Sequence, residues 1–186
     1  MRAQRPFESA LLLPDAIDSL ARSNVTYAVV GAMAASVHGA VRASMDADAI
    51  LAVHSDELAA LERRFRDDGF TTELGYGDAA DPIGAVLAIT DEHGNRVDFI
   101  VGLKGLDAGA YSRTIEIPFH GGPLRIIGVE DFIAMKVFEH GPQDLADARS
   151  ALDAAGDNLD LPLLRRLAER FGQETARALD AALRAR

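Results

Sequence analysis

The sequence predicts an α/β (α+β) domain whose strands fill the first two thirds of the chain and whose last third is helical. Three observations carry this prediction. Short apolar runs of strand length, Val25–Val30 and Asp46–Val53, enclose a helical segment. Asp91-Glu92-His93-Gly94-Asn95 separates Val86–Thr90 from Arg96–Val101, a hairpin signal. From Val129 onward, apolar residues recur at helical spacing with only short breaks.

The elements follow in order. Leu13–Ser23 reads as an amphipathic helix with Pro14 in its first turn, since the ring fits there and ends the apolar run Ala10–Leu13. Val25–Val30 is a strand, Ala32–His38 a helix stopped by Gly39, with His38 as a helix-end cap, and Asp46–Val53 a second strand. Ser55 is placed to cap Asp56–Asp68, which carries Leu58, Leu61 and Phe65 on one stripe. Phe70–Leu74, Val86–Thr90 and Arg96–Val101 are strands. Thr114–Phe119 and Leu124–Ile127 form a second hairpin around Gly121-Gly122. Four helices follow: Val129–His140, Gln143–Ala155, Leu161–Phe171 and Gln173–Ala185.

Composition narrows the classes of function. The chain has 186 residues, 48% of them hydrophobic, enough for a proper core. It has no cysteine, which excludes disulfides and thiolate metal sites and suits a reducing compartment. No stretch approaches membrane-spanning length and the N-terminus lacks a secretory pattern, so a cytoplasmic location without membrane partners is expected. A net charge of −10 argues against gripping nucleic acid over a broad surface. The only lysines are Lys104 and Lys136.

Three aspartates stand out. Side chains alternate along a strand, so Asp46 and Asp48 share one face of Asp46–Val53, while Ala47, Ala49, Leu51 and Val53 line the other. Neighbouring carboxylates repel; they either sit at a solvated strand end or share a cation. Asp98 lies within Arg96–Val101, otherwise apolar at Val97, Phe99, Ile100 and Val101, where a carboxylate is costly to bury unless paired or metal-bound. Together the three could form the cluster used in two-metal phosphoryl transfer, with ions ~3.5–4 Å apart. Gly31 joins strand to helix just upstream, a turn that offers backbone N–H groups to phosphate.

These residues resemble a known family. Tyr27–Val53 (YAVVGAMAASVHGAVRASMDADAILAV) resembles the opening motif of nucleotidyltransferase-fold proteins, with strand, Gly-Gly or Gly-Ser, helix, then Arg-x-(Ser/Thr)-x-D-x-D. Arg96–Gly102 is similar to the segment carrying the third aspartate. Val129–Leu152 is similar to the E-D-L-I-x-x-K and K-D-x-x-D segments of the AbiEii/AbiGii-type branch, which has toxin-like members.

The resemblance implies a nucleotidyltransferase-like mixed sheet over residues 1–128 and a helical extension over 129–186 packed on the same domain. It implies Asp46, Asp48 and Asp98 as catalytic ligands of Mg²⁺ or Mn²⁺, and Gly31 and Ala32 at the triphosphate. It also implies nucleotide contacts from Lys136, Asp144 and Asp147. Arg42 either binds phosphate or neutralises Asp46 or Asp48; Lys136 alternatively reads as a solvent-edge lysine, and Asp144 and Asp147 as first-turn carboxylates favouring the helix dipole. The sequence departs from the pattern at Ala32, where Gly or Ser is usual, and at Gln143, where the motif has Lys.

Two functions follow. One is metal-dependent transfer of a nucleoside monophosphate from ATP or another NTP to an RNA such as tRNA, a protein or a small molecule, in a toxin-like role or otherwise. The other is a catalytically inactive binding or regulatory protein of the same fold, with a cognate protein partner in a toxin–antitoxin-like pair.

Overall fold

The computed structural model describes residues 3–40, 46–120 and 122–185. Among them, β1 (Tyr27–Val29), β2 (Asp46–Leu51), β3 (Thr71–Tyr76), β4 (Ala85–Thr90), β5 (Arg96–Val101), β6 (Ile115–Phe119) and β7 (Gly122–Ile126) form one sheet in the order β3-β4-β5-β2-β1-β7-β6. The helices are α1 (Ser9–Arg22), α2 (Gly31–Val37), α3 (Leu58–Asp67), α4 (Val129–Glu139), α5 (Pro142–Ala155), α6 (Leu161–Arg170) and α7 (Gln173–Arg184). The chain forms two compact units. One comprises Met1–Met33, Ala43–Lys104 and Glu116–Ile126; the other comprises Ala34–Arg42, Gly105–Ile115 and Ile127–Arg186.

The sheet unit is mixed. β2 runs parallel to β5 and antiparallel to β1, with Val29 opposite Ala49. The helix between β1 and β2 therefore does not make a parallel crossover. α2 has seven residues, about 10 Å of rise. Val97, Phe99 and Val101 of β5 are buried, whereas Arg96, Asp98 and Ile100 between them are half-buried. The buried set faces the helical layer: Phe65 of α3 stacks on Phe99 with ring centroids 5.3 Å apart, and Leu12, Leu13, Ala16 and Leu20 of α1 are buried. The polar side chains of β5 thus lie on the sheet face opposite α1 and α3.

Two helix starts differ from the sequence prediction. α1 begins at Ser9, not Leu13, and carries Pro14 internally. Tertiary bonds hold this early turn: Glu8 N–H donates to Asn95 Oδ1 at 2.7 Å, and Ser9 Oγ accepts from Arg96 N–H at 3.0 Å. Burying Leu12 and Leu13 then outweighs the N–H that Pro14 lacks. α3 begins at Leu58 without a Ser55 cap; Glu57 instead accepts from His54 N–H at 2.8 Å.

In the helical unit, α4 is central and packs against α5, α6 and α7, burying Phe132, Ile133, Ala134, Met135 and Val137. Its buried Asp131 is gripped by Arg113, whose Nε and Nη2 both donate at 2.7 Å. His38 does not cap its own helix. Its Nε2 meets the Ile127 carbonyl oxygen at 2.8 Å and its ring lies 5.3 Å from Phe132, and burial lowers its pKa.

The β4–β5 turn sets where β5 begins. Asp91 Oδ1 accepts from the backbone N–H groups of His93 and Asn95, each at 2.9 Å, and Asn95 Nδ2 donates to the Arg5 carbonyl and to Asp91 Oδ2. Asn95 is 1% exposed, so its loss strands buried partners. Asn95→Ala is expected to destabilise by about 2 kcal/mol, or roughly 4–8 °C in Tm. Exposed Glu92→Ala in the same turn should stay within about 0.5 kcal/mol in thermal or urea unfolding.

Candidate active site

Strand pairing aligns the carboxylates. Asp48 pairs with Asp98 and Asp46 with Arg96 across β2 and β5; Ala88 pairs with Asp98 across β4; Glu73 pairs with Ala88 across β3. Side chains of paired residues share a face. Glu73, Ala88, Asp98 and Asp48 therefore form one row across the sheet, with Arg96 and Asp46 in the adjacent row on that face. Asp98 lies on the same face as Asp46 and Asp48, as the sequence requires of a shared site.

Gly31 closes one end of the row. Val30 N–H donates to the Asp48 carbonyl at 2.9 Å, and a Cβ added at Gly31 would stand 2.0 Å from Asp48 Oδ2. Its φ of +59° is also one that residues with a side chain rarely adopt. Glycine here lets the β1–α2 turn approach the Asp48 carboxylate. Ala32 follows and is buried. Arg42 lies outside the described residues.

Arg96, which the motif reading passed over, sits among the carboxylates of this face and meets two of them. Its Nε donates to Asp98 Oδ1 at 2.7 Å, and its Nη1 reaches Glu73 Oε2 at 3.4 Å. The signal was available: two residues before Asp98 on one strand means the same face. Among the described residues, no three His, Asp or Glu side chains stand close enough together to hold a metal ion. Register brings the aspartates to one face, but one oxygen of Asp98 is held by Arg96. The carboxylate oxygens of Asp46, Asp48 and Asp98 are the donor type that a hard divalent cation takes, whereas the charge of Arg96 on Asp98 opposes a cation there.

The later motif residues form a network in the helical unit. Lys136 is 6% exposed, not at the solvent edge; its Nζ donates to Asp144 Oδ1 at 2.9 Å and also binds Glu139 Oε2. Burial opposes its charge, but Glu139 and then Asp144 outweigh this and raise the Lys136 pKa. For Asp144, burial is outweighed by hydrogen bonds from Glu139 and Lys136, lowering its pKa. Desolvation pushes Glu139 up to about 7 against the pull of Lys136, with Asp144 adding to the rise. Buried Asp147 accepts from Gln143 Nε2 at 2.8 Å, so the residue replacing the motif lysine serves as its hydrogen-bond donor.

No protein-family model matches the chain, and no curated protein matches it either. Solved structures do. The antibiotic-resistance factor ANT(2'')-Ia in solution is 16% identical with a TM-score of 0.60, covering 96% of this chain and 95% of its own. Its crystal structure in complex with adenylyl-2''-tobramycin gives the same score and identity over 89% and 99%. An antigenic nucleotidyltransferase-like protein from Paracoccidioides brasiliensis gives 0.55 at 15% identity over 96% and 93%. The chain has the nucleotidyltransferase fold.

The Glu139 shift makes stability pH-dependent. The unfolded carboxyl ionises near its ordinary value of about 4.3, well before the folded one, so this group's contribution is full below that value and is lost as pH rises through about 7. Because 40% of the side chain is exposed, solvent offsets part of the effect. Glu139→Gln should flatten the decline in urea stability between pH 5 and 8, gaining on the wild type most at the alkaline end.

Proposed function

We propose that the protein transfers a nucleoside monophosphate from an NTP to an acceptor hydroxyl, using Mg²⁺ or Mn²⁺ held by Asp46, Asp48 and Asp98. The observation that carries this reading is the register of Asp48 with Asp98, on the same face as Asp46 and against the Gly31 turn. A bound divalent cation would polarise the α-phosphate and offset the charge developing on the departing pyrophosphate.

The chain's own part is positioning. Gly31 and Ala32 turn backbone N–H groups to the phosphates. Asp98 accepts the proton of the acceptor hydroxyl as its oxygen bonds to the α-phosphorus and the bond to pyrophosphate breaks. Lys136, Asp144, Asp147 and Arg42 enter as nucleotide contacts through the motif match. The structural neighbour bound to adenylyl-2''-tobramycin favours a small-molecule acceptor, although RNA such as tRNA and a protein target of toxin-like modification share the same hydroxyl chemistry.

The test is transfer itself. With Mg²⁺ or Mn²⁺, the wild type should pass label from an α-³²P-NTP to a component of cell extract, and Asp48→Asn should lower this by about a hundredfold or more. NTP and metal binding with small molecules, tRNA, extract and purified partner proteins all unlabelled would favour the non-catalytic reading. Absence of NTP binding would make Ala32→Ser the informative variant.

A further inference from the structure

Arg96 has two acceptors, and their placement explains how a cation could enter this face. Asp98 lies two residues along the same strand, whereas Glu73 lies two strands away, beyond β4. The intervening residue in that row is Ala88, whose small side chain leaves the guanidinium a path across the sheet. Arg96 spans the gap with its Nε on Asp98 at 2.7 Å and its Nη1 near Glu73 at 3.4 Å. The short bond is to the half-buried aspartate; the long one is to the exposed glutamate, whose side chain is 77% accessible.

We propose that Arg96 is a positioning residue that occupies Asp98 as a resident counter-charge and yields it to the divalent cation by moving onto Glu73. This rests on the metal-site reading above and adds a competition to it. A guanidinium cannot lose its proton to make way, and its charge on one oxygen of Asp98 opposes a cation on the other, so moving away lowers the cost of Asp98 becoming a ligand. Glu73 gives it a partner of the right charge within the reach of its present pose. The cation then binds against the cost of breaking one partly exposed ion pair, and Arg96 sets its affinity.

The experiment reads Mn²⁺ binding directly, by electron paramagnetic resonance titration of free Mn²⁺ without nucleotide. Arg96→Gln should tighten Mn²⁺ binding by about fivefold, the equivalent of one exposed ion pair. Arg96→Lys, which retains the charge, should stay nearer the wild-type affinity. Glu73→Gln should weaken binding, because Arg96 loses its alternative partner. On an Asp98→Asn background, Arg96→Gln should gain nothing. Wild-type binding that Arg96→Gln leaves unchanged or weakens would overturn the competition alone. No binding by wild type or Arg96→Gln would overturn the metal-site reading together with it. Without metal, Arg96→Gln should also lower Tm, and an unchanged Tm would contradict a resident counter-charge.

Discussion

The parallel register of β2 on β5 is the constraint on which this face of the sheet depends. Side-chain period along a strand is two residues, so a slip of one would send Asp98 toward α3 and bring Phe99 to the face carrying Asp48. Two features oppose that slip. Phe99 is stacked on Phe65 in the core, and the Asp91–Asn95 turn fixes where β5 starts through bonds to Arg5, Glu8 and Asp91. Aspartate placement is thus secured by aromatic packing on the opposite face and by a buried asparagine outside the site.

Charge is organised in a repeated way. Asp and Glu number 29 against 19 Lys and Arg, and several cations are shared between two carboxylates. Arg96 bridges Asp98 and Glu73, Arg113 bridges Asp131 and Asp107, and Lys136 bridges Glu139 and Asp144. A single positive charge cannot fully balance two negatives. At Lys136, burial pushes Glu139 upward and Asp144 adds to the rise, so a proton on Glu139 can relieve the imbalance. At Arg113, one acid is buried and bound bidentately while Asp107 also accepts from Gly109 N–H. At Arg96, a divalent cation is the proposed relief.

Much of the fold was legible from local pattern, because alternation and glycine punctuation are local. The D-x-D strand, the Asp98 strand, the hairpin between Val86–Thr90 and Arg96–Val101, and the four C-terminal helices all appear near their expected bounds. The start of α1 was hidden because Pro14 is a strong local stop and the bonds that override it come from Asn95 and Arg96, far along the chain. The antiparallel pairing of β1 and β2 was likewise a matter of chain direction after α2, which apolar periodicity does not encode. The long reach of Arg96 past Ala88 and the burial of Lys136 between two acids depend on tertiary neighbours that no motif spells out.

The central claim is that the row of carboxylates beside Gly31 is where metal and nucleotide meet. The most direct measurement is a crystal structure with Mn²⁺ and a non-hydrolysable NTP analogue, using anomalous scattering to locate manganese. An anomalous peak bound by oxygens of Asp48 and Asp98 is expected, with Arg96 released from Asp98 and paired with Glu73. Manganese and nucleotide bound elsewhere, with Arg96 still on Asp98, would contradict it.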